Sequence, residues 1–462
     1  MKILFIFPNV DEGGYKPVGL SAIMSNCQAK GHDIRLFDTS FMDTSEFTTF
    51  TNFHSVGMNS SGSEILCLKK CDLSDYDLSQ KKTDIVAELR NTLEEFQPDV
   101  VAISVLSVEW TLSVHLLKTV KKFDESILTV FGGIHAYADA EGSIKENTID
   151  AVCIGEGEEA IIELLKKVEA GKDYENTPGF WIKKNGSVYK NPVGQVVEDL
   201  NTLPYLNYGL YHDNLNIKQF DGNVYRGGDH VITRGCPAKC SYCLFDTMNA
   251  LNDGDANLRR YEIDRIIAEL KSLKENFNLN FYRFQDSTFL SIPTTYLNEF
   301  ADRYSKEIGL PCVIDVMPQS VTKEKVLALA KMGCAAAGVG TETGNEQLRF
   351  KVGKPVKDAT IVKAFRLIEQ YGNGMYSGAF LLMGFPMETR DHYWDSVNFV
   401  RNARVNGPTI GFVYPFKGTT LRDEAIRLGL FDAEAEESGE IGYHRLHPVI
   451  KNPNISSEEY RG

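Results

Sequence analysis

"RGCPAKCSYC", residues 234–243, places Cys236, Cys240 and Cys243 at spacings of four and then three within ten residues. Soft thiolates in such an array select zinc, copper(I) or iron-sulfur clusters. A structural zinc site is closed by four ligands, so zinc here must borrow His230 or Asp246, and the usual paired CxxC arrangement is missing. A four-iron cluster held by three cysteines keeps one iron open to another ligand, and an open iron can do chemistry. Which metal the loop suits depends on the chain around it.

The loop follows "HVITRG", the first of six apolar strand candidates. The others are "NFYRFQD", "CVIDVMP", "AAGVGTE", "SGAFLLMGFP" and "TIGFVYP". Helical periodicity fills the gaps, as in "EIDRIIAELKSLKENF" and "TIVKAFRLIEQYG". Six βα units predict a partial (β/α)6 barrel over residues 226–430, with its working loops at the strand carboxyl ends. The cysteine loop occupies such an end.

Upstream, "KILFIF", "VGLSAIMSNCQAKG" and "HDIRLFD" read as strand, helix and strand. "PDVVAISV", "ILTVFGG" and "IDAVCIG" continue the alternation. This predicts a doubly wound, Rossmann-like α/β domain over residues 1–170 with a parallel sheet, interrupted by a polar insertion at residues 39–80. Ligands bind such sheets at the carboxyl ends of the strands. The loops there are "SVLS", "GGIH" and "GEGE", whose small residues admit a bulky ligand. Neither a P-loop nor a spaced dinucleotide fingerprint occurs in "FPNVDEGGYKP", which disfavours a nucleoside triphosphate or NAD. Residues 171–225 read as a linker with a hairpin turning at Asn185 and Gly186. Residues 431–462 form a short C-terminal region.

The 462 residues carry a formal net charge of -14, which argues against nucleic acid as a partner. No apolar run reaches the length of a membrane span, and the start "MKILFIFPNVDEGG" does not read as a signal peptide, so the expected location is the cytoplasm. Nine cysteines in a large acidic chain do not read as a disulfide framework. Cys27, Cys67, Cys71, Cys153, Cys312 and Cys334 are read as small hydrophobes.

"CPAKCSYC" resembles the cluster loop of the radical S-adenosylmethionine (SAM) superfamily. The resemblance extends through "FQDSTF", "GTETG" and "LLMGFPMET", over residues 228 to 420. It implies a [4Fe-4S] cluster on Cys236, Cys240 and Cys243. It also implies SAM contacts from Asp286, Ser287 and Thr288, although the family's usual Gly-Gly-Glu is replaced there. Glu342 is the implied acceptor for ribose or methionine donors, Gly384 and Pro386 give backbone access to adenine, and Tyr242 packs on it.

"PDVVAISVLS", "FGGIHAYADAE" and "DAVCIGEGEEAIIELL" are similar to the cobalamin-binding domain of the cobalamin-dependent branch of that superfamily. The likeness implies Ser104 and Ser107 beside the nucleotide tail, Gly132 and Gly133 under the corrin, and Gly155, Glu156 and Gly157 at its edge. Val105 and Trp110 are the candidates to cover the lower face of cobalt. His135 is read as a loop or corrin-edge residue and not as a ligand of cobalt. Asp-x-His-x-x-Gly, which brings a histidine to cobalt in other cobalamin enzymes, is absent.

The resemblance implies a C-methyltransferase that moves a methyl group from SAM by way of methylcobalamin to an unactivated carbon, using a 5'-deoxyadenosyl radical. Its substrate would be a small molecule, lipid or peptide, and its electron donor a protein such as flavodoxin or ferredoxin. Cobalamin-binding radical SAM enzymes that cyclise, rearrange rings or join carbons share the same pair of domains. A methylthiotransferase would need a second cluster, whose spacing Cys27, Cys67 and Cys71 do not follow. A non-catalytic corrinoid or iron-sulfur protein does not account for the SAM motifs. Tyr414, Phe416, His444 and His447 fit either the open side of the barrel or ordinary packing.

Overall fold

A computed structural model describes residues 1–10, 15–47, 72–73, 75–76, 78, 82–252, 258–437 and 447–460. The chain divides after Val224 into two compact units.

The first unit is built on strands β1 (Lys2–Phe7), β2 (Asp33–Asp38), β3 (Val100–Ser104), β4 (Leu128–Gly132) and β5 (Ala151–Cys153), all parallel, in the order β2-β1-β3-β4-β5. The order reverses between β1 and β3, which makes their carboxyl ends the switch point. Apolar runs such as "KILFIF" and "VVAIS" are buried on both faces because helices cover the sheet. The helix Ile85–Phe96 is started by Asp84, whose carboxylate accepts from the Val86 and Ala87 amides, and it buries Ile85, Leu89, Leu93 and Phe96 at helical spacing. Gly31, at a φ of 87°, ends the turn after the helix Val18–Ala29. Much of the polar insertion at 39–80, with Cys67 and Cys71, lies outside the described residues.

The expected linker hairpin is not a free bridge. Strands β6 (Phe180–Lys184) and β7 (Ser187–Lys190) turn at Asn185 and Gly186, both at positive φ as a tight hairpin requires, and β6 pairs antiparallel with β5. Phe180 and Ile182 are fully buried, so the hairpin completes the core of the first sheet.

β8 (Ile217–Phe220) precedes the division after Val224, and β9 (Asn223–His230) runs across it and leads into a short antiparallel pair, β10 (Thr233–Arg234) with β11 (Arg259–Arg260). Strands β12 (Phe281–Phe284), β13 (Cys312–Val316), β14 (Cys334–Glu342), β15 (Tyr376–Met383) and β16 (Gly407–Phe412) follow, each separated from the next by helix. Six parallel strands run in the order β16-β15-β14-β13-β12-β9, with β8 beyond β9. The first strand ends at His230, earlier than "HVITRG" suggests. Residues 231–235 are already the approach to the cysteine loop.

Side chains alternate across these strands. Tyr282 donates its hydroxyl to Leu270 O at 2.6 Å and Phe284 packs edge-on against Phe300, so both face the helical layer. Cys27, Cys153, Cys312 and Cys334 are buried and unpaired, as small hydrophobes would be.

Residues 447–460 lie against the end of β15. Ile455 and Tyr460 pack with Met383, and Asn452 donates to Glu388 O at 2.9 Å. No helix among the described residues is long and apolar enough to cross a membrane.

Candidate active site and cofactor-binding residues

The cysteine loop is pinned at several points. The Ser241 amide donates to Val352 O at 3.0 Å, the Leu421 amide donates to Ser241 O at 2.9 Å, and Asn249 Nδ2 donates to Cys236 O at 2.9 Å. Gly353 has a φ of 80°, and a Cβ there would run into the carbonyl oxygen of Lys239, so glycine is what lets these two segments touch. Cys236, Cys240 and Cys243 are all unpaired. Burial raises all three thiol pKa values, Cys243 to about 11, and the Cys243 thiol also feels the charges of Cys240 and Cys236. Metal binding must displace these protons.

The donor set is three unpaired thiols of one loop, which an iron-sulfur cluster accepts. Among the described residues no three His, Cys, Asp or Glu side chains converge where one ion would sit. Three thiols that share a loop and sense one another suit a cubane with one iron left open. His230, the borrowed ligand of the zinc reading, is fully buried with Nε2 3.3 Å from Glu269.

Glu342 is brought to this loop from the end of β14. Its φ is 65°, after a register shift between Gly340 and Glu342. Its carboxylate pairs with Lys354 Nζ at 2.6 Å, and both side chains are nearly buried. A Cβ at Gly340 would stand 2.6 Å from that Nζ, so the glycine makes room for the pair. Cys240 and Cys243 feel the Glu342 charge, while Lys354 opposes the burial that raises the Cys236 and Cys240 thiols. Lys354 was not among the residues expected from sequence. The only signal for it is a lysine twelve residues after a strand-end acid.

Tyr242 is held well above the usual phenol range by burial and by the charge of Glu342. Its ring meets Phe385 edge-on at 5.9 Å.

Asp286 is tied to the segment that leads into the cysteine loop. Its carboxylate accepts from the Ile232 amide at 3.0 Å, the Thr233 amide at 2.6 Å and the Thr233 hydroxyl at 2.5 Å. Burial nevertheless raises its pKa to about 6. The side chain is buried and bonded to the approach to the cysteine loop. Ser287 is exposed, and the buried Thr288 Oγ1 finds no partner among the described residues.

At the end of β15, Gly384 turns the chain at a φ of 82°, and its amide donates to the Glu388 carboxylate at 2.6 Å. Pro386 is buried in this turn and Met387 is exposed at a φ of 62°. Tyr414 donates its hydroxyl to Glu436 at 2.5 Å, and His444 lies outside the described residues.

In the first unit, the loops after β3 and β4 press together. Gly133 has a φ of 90°, and a Cβ there would stand 2.5 Å from the Val105 nitrogen and 3.0 Å from Ser104 Oγ. The Val105 amide donates to Gly132 O and the His135 amide to Val105 O, each at 3.0 Å. The Val105 side chain is 1% exposed and packs in the core.

The half-buried Trp110 lies 4.8 Å from the His135 ring and 5.6 Å edge-on from Phe131. His135 Nδ1 is 3.0 Å from Ser107 Oγ. At the β5 end, Gly155 has a φ of 123° and Glu156 accepts the Val197 amide at 2.8 Å. A Cβ at Gly157 would stand 2.7 Å from Ile23 Cδ1.

Sequence reasoning passed over Leu106 and Ile134, which are 49% and 39% exposed at the ends of neighbouring strands. Exposed apolar side chains at two neighbouring strand ends, flanked by Ser104 and Ser107, fit a large apolar macrocycle with a polar tail.

The radical SAM superfamily model matches residues 230–400, and the B12 binding domain model matches residues 10–165. A protein of Pyrococcus horikoshii named as an uncharacterised methyltransferase is 23% identical over 375 residues, covering 81% of this chain and 78% of that one. An anaerobic magnesium-protoporphyrin IX monomethyl ester cyclase of Cereibacter sphaeroides is 25% identical over 368 residues, covering 74% of this chain and 57% of that one. The solved structure of the radical SAM methyltransferase TsrM from Kitasatospora setae, with cobalamin and a [4Fe-4S] cluster bound, shares the fold with a TM-score of 0.68. It is 17% identical and covers 99% of this chain and 84% of that one. With two domain matches in this order over a three-cysteine loop and an apolar sheet edge, the chain belongs to the cobalamin-dependent branch of the radical SAM superfamily and is an enzyme of a [4Fe-4S] cluster, SAM and cobalamin.

Proposed function

We propose that this enzyme is a C-methyltransferase acting on an unactivated carbon. The observation that carries the reading is the three-thiol loop in the same chain as a B12-binding sheet. The methyltransferase relative matched along most of both chains supports it. When bound, the cluster supplies an electron to cleave SAM to a 5'-deoxyadenosyl radical, and cobalamin supplies a carrier for the methyl group.

The chain's own residues bind and orient. Cys236, Cys240 and Cys243 hold the cluster, and Asp286 fixes the backbone that leads into their loop. Glu342 receives hydroxyl or ammonium donors of SAM, with its charge balanced by Lys354. Ser287 and Thr288 line the neighbouring strand end. The turn at Gly384 and Pro386 presents backbone to the adenine, and Tyr242 with Phe385 forms an apolar wall beside it. Ser104 and Ser107 serve the cobalamin nucleotide tail, and Gly132, Gly133, Gly155, Glu156 and Gly157 shape the edge on which the corrin rests. Trp110 packs behind that edge. A one-electron donor such as flavodoxin or ferredoxin completes the system, and the substrate is a small molecule, lipid or peptide.

A second reading, radical cyclisation or rearrangement without methyl transfer, is favoured by the cyclase relatives, one of which aligns over 98% of this chain. Product analysis separates the two. The protein is loaded without oxygen with iron, sulfide and hydroxocobalamin, then given SAM and titanium(III) citrate. Methyl transfer yields S-adenosylhomocysteine, dependent on the corrinoid, together with 5'-deoxyadenosine. If only 5'-deoxyadenosine forms, the methyltransferase reading fails and the second stands.

A further inference from the structure

The inward face of the second unit's sheet is thinly filled. Tyr282 and Phe284 face the helices, so Arg283 faces the inside of the partial barrel, where the strand register sets Asp229 and Val313 beside it. Along β13, Ile314 and Val316 are buried while Asp315 keeps partial access. Asp315 lies beside Gly338 of β14, which lies beside Gly378 of β15. Barrel interiors are ordinarily packed with bulky branched side chains, whereas Asp315, Gly338, Gly378 and Phe380 all stay partly accessible here. A Cβ at Gly338 would stand 2.6 Å from Asp315 Oδ1 and closer still to the Phe380 ring. The glycine thus lets a carboxylate oxygen and an aromatic edge border one space.

Asp315 is the unmatched charge on this face. Asp229 is fully buried and accepts from Gln285 Nε2 at 2.9 Å. The Asp315 carboxylate has no hydrogen bond or ion pair among the described residues; burial raises its pKa, and the charge of Arg283 opposes that rise. Two acids and one arginine leave a negative charge over. Desolvating a carboxylate without a partner is costly, and an apolar residue would fill a purely structural position without that cost. The carboxylate stands one residue before the end of β13, at the rim where the working loops gather. Resting on the reading of this barrel as the seat of the radical chemistry, we propose that Asp315 binds the substrate, and that the substrate carries a basic nitrogen, held as an ammonium on an apolar frame that lies against Phe380. Among small molecules, lipids and peptides, this selects amines.

The test uses the protein loaded with iron, sulfide, hydroxocobalamin and SAM, and three probes of one frame: benzylammonium, benzyl alcohol and benzoate. Binding is followed without oxygen by saturation-transfer nuclear magnetic resonance, and SAM cleavage by the 5'-deoxyadenosine formed with titanium(III) citrate. Benzylammonium should saturate the wild type with a dissociation constant of about 1 mM, the range open to a ligand of its size. Benzyl alcohol should bind more weakly and benzoate not at all. Asp315→Asn keeps the shape and should weaken benzylammonium about tenfold or more, to the level of benzyl alcohol, with 5'-deoxyadenosine formation unchanged. Gly338→Ala crowds the same space and should weaken benzylammonium as well.

Equal affinity of the wild type and Asp315→Asn for benzylammonium overturns the assignment. So does benzoate bound as tightly as benzylammonium, or no saturation by benzylammonium up to about 10 mM in a wild type that cleaves SAM. A loss of 5'-deoxyadenosine formation in Asp315→Asn would give the residue to SAM and overturn its role toward the substrate. A wild type that carries its cluster yet cleaves no SAM sinks the reading of the barrel, and the proposal with it.

Discussion

Single residues in this protein work by holding others. Asp286 secures Ile232 and Thr233, Lys354 balances Glu342, and Glu109 fixes Leu106. Glu109 gives the clearest solution signature, because burial raises its carboxyl pKa to about 8 against an ordinary value of 4.5. Between these values the native state keeps a proton that the unfolded chain has lost. The contribution is therefore full below about pH 4.5 and disappears as pH rises through about 8. Glu109→Gln keeps the shape without the ionisation. We expect wild-type thermal stability to fall from pH 6 to 9 more steeply than that of the variant, measured by circular dichroism melts at matched ionic strength. Parallel curves for the two proteins would refute the protonated state of Glu109.

Elements meet the site through their ends, and the C-terminal segment is the one whose place is decided by packing. Tyr460 donates its hydroxyl to the Glu388 carboxylate at 2.9 Å, while the same oxygen accepts the Gly384 amide. Asn452 donates to Glu388 O at 2.9 Å, and Asn454 Nδ2 adds a longer bond to the same oxygen at 3.2 Å. The other carboxylate oxygen of Glu388 is buried and finds no partner among the described residues, so this group depends on its few bonds. Tyr460→Phe removes one of them and should destabilise the protein by about 1–3 kcal/mol. Limited proteolysis should then cut the 384–390 turn sooner than in the wild type, with iron content unchanged. Equal cleavage rates would show that the segment does not brace the turn.

At the scale of the whole molecule, two compact units with separate cofactors should melt separately. A ligand at a hundred times its dissociation constant adds about 2.7 kcal/mol to the unit that binds it, or roughly 5–10 °C for a unit of this size. Calorimetry should show hydroxocobalamin raising one transition and iron chelation lowering the other. A single transition moved equally by both treatments would mean that the units unfold as one.

The sequence alone was sufficient for the cysteine loop, the βα alternation in both halves and the order of the strand-end loops. Each of these is written within a few consecutive residues, as ligand spacing, apolar period or a glycine at a turn. Contacts distant in sequence were illegible there. Asp286 bonds residues 53 and 54 positions away, and Tyr460 reaches Glu388 across 72. Which strand-end side chains point outward was equally hidden. Val105 and Leu106 are adjacent apolar residues, yet one closes the core and the other stands at the sheet edge. Local chemistry sets what each loop can bind, whereas burial and partnership depend on what the fold packs against it, and only the tertiary structure decides that.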